Sequence, residues 1–139
     1  NLRKYPYLNW RWRISSKIKT VDHKARAGDD YAARIYVVVD GGLLFWKSRA
    51  LSYVWASQAE IGSVWNNAYD GKSVKMLAVR SATDSTSSCY TEKINVYEDM
   101  KKLFGKEISK IDAVALMTDT DDSGSDAISY YADIYFSAD

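Results

Sequence analysis

Strict alternation of apolar and polar residues constrains this chain more than any other feature. In Leu8-Asn9-Trp10-Arg11-Trp12-Arg13-Ile14 the even positions are apolar and the odd ones polar. A two-residue period puts one set of side chains on each face of a strand, and a helix cannot gather it on one side. Ala33-Arg34-Ile35-Tyr36-Val37-Val38-Val39 is rich in β-branched and aromatic residues, and the turn signal Asp40-Gly41-Gly42 follows it. A hairpin into Leu43–Trp46 is expected there. Leu51–Trp55, Val74–Arg80, Cys89–Ile94, Ile111–Met117 and Ser129–Phe136 are further strands bounded by Gly, Ser, Asn or Asp clusters, about eight in all.

Many short strands without intervening long helices predict a mainly β chain, an antiparallel two-sheet β-sandwich of jelly-roll or galactose-binding-like form. One helix interrupts the series. Asn95 stands as N-cap, Glu98 and Asp99 fall in the first turn, Lys101 and Lys102 in the last, and Gly105 just beyond. The spacing of Val96, Tyr97, Met100, Leu103 and Phe104 makes 95–104 a short surface helix docked through an apolar face. No repeat or linker divides the 139 residues, and a chain of this length can bury a core without disulfides or metal. A single domain spanning 1–139 is expected.

The charge balance excludes some functions. Net charge is +1 with both signs interspersed, so the concentrated basic stripe needed for nucleic acid is absent. No apolar run reaches the roughly 20 residues of a membrane-spanning helix, and membrane insertion is not expected. The lone Cys89 cannot form an internal disulfide, and its one histidine partner, His23, is not brought near it by any spacing.

Leu8–Ile14, Asp29–Val39 (DDYAARIYVVV), Glu92–Asp99, Ala113–Thr120 (AVALMTDT) and Tyr131–Phe136 together resemble the bacterial domain-of-unknown-function family 3047. Leu51–Trp55 and Gly62-Ser63-Val64-Trp65-Asn66 fit the same pattern. The resemblance brings no activity or catalytic residue set. It implies bacterial origin, export to the periplasm or beyond, and an N-terminal portion preceding this stretch. Its closing pattern, Ile111–Met117, a polar loop and then Asp133-Ile134-Tyr135-Phe136, is similar to that of carbohydrate-binding jelly rolls, an analogy of shape.

Three residue groups could carry chemistry. Asp119, Asp121 and Asp126, in the stretch Thr118–Asp126, could offer oxygens to calcium. The EF-hand spacing fails because Tyr130 stands where a bidentate carboxylate is needed, and polar Asp/Ser/Gly loops also join strands without metal. Trp65 and Tyr69 flank Asn66-Asn67 in a Gly/Ser/Asn-rich segment, where an aromatic is less readily buried and could stack on a sugar; Trp65, Asn66 and Tyr69 are therefore the ligand-binding candidates. Trp10, Trp12 and Trp55 read as core. A carboxylate pair drawn from Asp29, Asp30, Glu92, Asp99, Asp119 and Asp133 could hydrolyse a glycoside if two of them faced each other at about 5–5.5 or about 6.5–9.5 Å. Arg34 and Arg80 lie in otherwise apolar strands, where a buried charge requires a partner.

The expected function is a non-catalytic binding module with a glycan ligand. The alternatives are a hydrolase acting through paired carboxylates and an assembly domain that pairs with another protein through a sheet edge.

Overall fold

The computed structural model describes residues 1–14, 31–39, 48–56, 61–66, 73–80, 88–105, 108, 110–119 and 129–139. Its elements in chain order are β1 (Tyr7–Ile14), β2 (Tyr31–Val39), β3 (Arg49–Trp55), β4 (Val64–Asn66), β5 (Val74–Arg80), β6 (Tyr90–Asn95), α1 (Val96–Phe104), β7 (Ala113–Asp119) and β8 (Ser129–Ser137). They form two sheets, a three-stranded one ordered β6-β1-β8 and a five-stranded one ordered β4-β5-β3-β2-β7. The expected mainly β, two-sheet sandwich with one short helix is what the chain forms. The hairpin expected at Leu43–Trp46 lies outside the described residues.

Alternation in β1 builds the core. Leu8, Trp10, Trp12 and Ile14 are fully buried, and they meet Ala33, Ile35 and Val37 of β2 and Leu51, Tyr53 and Trp55 of β3. Trp10 and Trp12 pack edge to face with centroids 5.3 Å apart, and Trp12 leans on Trp55 at 5.6 Å, within the range in which aromatic pairs add to simple area burial.

The larger sheet departs from the expected all-antiparallel arrangement. β3 and β5 run parallel, Ala50 beside Val74 through Val54 beside Ala78, while β4 pairs antiparallel on the far side of β5. Parallel strands need a crossover, and the link between β3 and β5 contains β4. β3 is accordingly buried on both faces. Leu51, Tyr53 and Trp55 face the main core, while Val54, Met76, Ala78 and Trp65 form a second cluster. Two-sided burial is the usual condition of strands in parallel pairing, and it erases the hydrophobic alternation that marks a half-exposed strand.

α1 forms for the reasons its sequence supplies. Asn95 Oδ1 accepts a hydrogen bond from Glu98 N at 3.0 Å, and Gly105 takes the left-handed conformation (φ 69°), donating its N–H to Lys101 O. Val96 and Met100 are buried against the core, and Val96 N donates to Pro6 O, tying the helix to the segment before β1.

Candidate functional site

The outer face of the three-stranded sheet is where side chains with recognition chemistry converge. Because the even positions of β1 face the core, Tyr7, Asn9, Arg11 and Arg13 face outward, and cross-strand pairing puts their neighbours on the same face. Lys93 and Tyr135 lie opposite Asn9, Thr91 and Ala132 opposite Arg11, and Tyr130 opposite Arg13. Tyr135 is 57% exposed and Tyr130 48%. Arg13 stands over the Tyr130 ring at 4.5 Å and Lys93 over the Tyr7 ring at 4.9 Å.

A β-bulge shapes this face. The β1–β8 register shifts between Asn9 and Arg11, and on β8 Asp133 adopts a positive φ of 54°, the only non-glycine among the described residues to do so. Asp tolerates that conformation better than most residues because its short polar side chain bonds locally. The bulge opens a groove of about 340 Å³ lined by Asn9, Arg11, Thr91, Asp133, Ile134 and Tyr135, the lower end of the size range of small-molecule sites. Arg11 Nη1 meets Asp133 Oδ2 at 3.3 Å, with both side chains about half exposed or more. Asn9 forms the floor, its Nδ2 donating to Ser137 Oγ at 2.9 Å.

The interior holds a second polar cluster whose construction is structural. Glu92 on β6 points inward and is 5% exposed. Its Oε2 accepts from Trp12 Nε1 at 2.9 Å and from Arg80 Nε at 2.7 Å, and its Oε1 accepts from Arg80 Nη2 at 2.9 Å. Arg80 also lies over the Tyr90 ring at 4.2 Å. The ion pair expected for Arg80 is thus present, and it bolts β6 of one sheet to β5 of the other. Arg34 is buried in β2, its guanidinium over the Tyr36 ring. Where the β2–β7 register shifts, the Tyr131 hydroxyl accepts from Arg34 N at 3.0 Å, a second link between the sheets.

Asp99, in the first turn of α1, accepts a hydrogen bond from the Tyr53 hydroxyl at 2.8 Å. Burial raises the Asp99 carboxyl above the ordinary carboxylate value, opposed by the Tyr53 hydrogen bond and the charge of Lys102. Burial, together with the facing Asp99 charge, holds Tyr53 well above the ordinary phenol value.

The residues picked from sequence are distributed differently from the expectation. Trp65 is not an open loop aromatic. It sits in β4 opposite Met76, 7% exposed, and packs with Val54, Met76 and Ala78, because β4 extends the larger sheet and carries the indole into the second cluster. Its ring is therefore not presented as a stacking surface. Asn66 is exposed, with its Oδ1 accepting from Lys75 Nζ at 2.9 Å. Tyr69 lies outside the described residues, as do Asp121, Asp126, His23, Asp29 and Asp30; Asp119 ends β7, and only its backbone is described. No group of three metal-ligating side chains occurs among the described residues. Cys89 is exposed just before β6. Arg11 and Arg13 are visible in the sequence as the wet positions of β1, whereas Tyr130 and Tyr135, five residues apart, would fall on opposite faces of an unbroken strand and share one only through the bulge. What was missing is the pairing of β1 with β8, which gathers them.

No helix among the described residues is long and apolar enough to cross a membrane. No curated protein and no solved structure matches the chain. Residues 1–135, nearly the whole chain, match the family described as Protein of unknown function (DUF3047), and the chain belongs to that family.

Proposed function

We propose that the chain is a non-catalytic glycan-binding module and that its ligand lies across the outer face of the three-stranded sheet. The observation that carries this reading is the exposed Tyr135 beside the Arg11–Asp133 pair at the mouth of the bulge groove. A tyrosine ring offers an apolar face to the C–H face of a pyranose, and a neighbouring cation and carboxylate offer donors and acceptors for its hydroxyls. β1 is the central strand of its sheet, and its partners on both sides hold these groups in fixed register, which limits the ordering cost on binding.

Binding is favoured over hydrolysis because Glu92 is held by Arg80 and Trp12 in the interior and Asp99 by Tyr53, which leaves Asp133 as the one acid among the described outward residues of this face, without the second carboxylate that glycoside hydrolysis needs. Export, expected from the family resemblance, would place such a module where polysaccharides are met.

A glycan array probed with the purified chain, with and without calcium, tests the reading. Retention of one glycan class that falls at least tenfold in Tyr135→Ala, with an unchanged circular dichroism spectrum, is the expected result. Silence on every glycan, in both conditions, overturns it. Calcium ligation by Asp119, Asp121 and Asp126 is carried by the sequence pattern, and a melting temperature indifferent to calcium would remove it.

A further inference from the structure

We infer that the glycan recognised by this face is anionic, a polymer bearing carboxylates such as a polyuronate. The inference rests on the glycan-binding reading and adds the charge of the ligand. Its basis is the imbalance of the outer face. Arg11, Arg13 and Lys93 point outward from adjacent positions of β1 and β6, and Asp133 is the one acid among the outward residues described there. The described residues of the face therefore carry a surplus of positive charge although the whole chain is close to neutral at +1.

The cations are placed so that they remain available. Among the described residues Arg13 and Lys93 meet no carboxylate; each stands over a tyrosine ring instead, at 4.5 and 4.9 Å. A ring face holds a cation in position without neutralising it, since the attraction comes from the ring quadrupole. Arg11 does have a carboxylate partner in Asp133, but the pair is open to solvent at 3.3 Å. An exposed pair of that kind contributes little and is readily exchanged for another anion. Along β1 outward residues recur at about 6.7 Å, so Arg11 and Arg13 form a short ladder of cations, with Lys93 offset beside it on β6. An extended chain with a carboxylate on each sugar can present anions to these cations. The rings of Tyr135 and Tyr130 flank them for the sugar faces.

Nucleic acid also combines aromatic stacking with cations, but a phosphate backbone calls for a longer basic track than three side chains. A polyuronate needs only local complementarity. Asp133 then acts against affinity, since it competes for Arg11.

Affinity gel electrophoresis tests this, with polygalacturonate, neutral pullulan or poly-dT cast into separate gels. The expected result is retardation by polygalacturonate at least tenfold stronger than by pullulan. It should weaken steeply between 50 and 300 mM salt, weaken about tenfold or more in Arg13→Gln/Lys93→Gln, and strengthen in Asp133→Asn, whose side chain still suits the left-handed backbone. Equal retardation by pullulan and polygalacturonate overturns the anionic inference and leaves the glycan reading standing. Retardation by neither polysaccharide also overturns the anionic inference, and the glycan array then decides the glycan reading. Stronger retardation by poly-dT than by polygalacturonate also overturns the inference.

Discussion

At Glu92 three demands meet in one side chain: a bidentate grip on Arg80, an acceptor for the Trp12 indole, and near-complete burial. Removing one partner of a buried pair leaves the other charge stranded, which costs about 3 kcal/mol or more, whereas replacing both with apolar groups is often neutral. Glu92→Gln should therefore lower stability by about 3 kcal/mol in urea unfolding, and Glu92→Gln/Arg80→Met should recover most of the loss. A double variant as unstable as the sum of its parts would contradict this account. Asp99 obeys the opposite logic. Its carboxyl is raised by burial, so the folded state holds the proton more tightly than the unfolded chain does. That contribution is complete below the unfolded carboxylate value and is lost as pH rises through the folded one. Asp99→Asn mimics the protonated form and can still accept the Tyr53 hydrogen bond. The variant should melt above the parent at pH 7, and the difference should shrink towards pH 3; a difference that grows on acidification would refute the assignment.

At the scale of elements, the helix was the most legible part, because each of its signals is local. The cap, the first-turn acids, the last-turn lysines and the terminal glycine all act within one turn. Asn95→Ala should cost about 1 kcal/mol and Asn95→Asp close to nothing, since a carboxylate can also accept from Glu98 N; equal losses in chemical denaturation would rule out the cap as the cause. β1, β2, β3, β5, β6, β7 and β8 were likewise legible within two residues at their ends, from alternation and β-branched content. β4 was not. Its three residues, Val64–Asn66, are too few to show a period, and their Gly/Ser/Asn surroundings mimic a loop. Trp65 therefore reads as a loop aromatic, since the burial of a ring depends on what stands beside it, and a three-residue strand carries no sign that it pairs with β5.

Across the whole molecule, class was legible and topology was not. Composition and alternation fix two half-buried layers, but they carry no information on which strand lies beside which. The parallel β3–β5 pair and the meeting of β1 with β8 are both long-range choices. The candidate site depends on the second of these: Arg11 and Arg13 belong to the first strand, Tyr130, Asp133 and Tyr135 to the last, and only sheet formation makes them one surface. The same join governs how the protein can be made. Asn9 and its partner Ser137 are 128 residues apart in sequence, so at synthesis rates of about 5–20 residues per second roughly 6–26 s separate their appearance. Through that interval β1 has no β8 to pair with, and the indoles of Trp10 and Trp12 lack a completed sheet around them. During synthesis the first strand waits with its apolar face uncovered, open to capture by a chaperone or by another nascent copy.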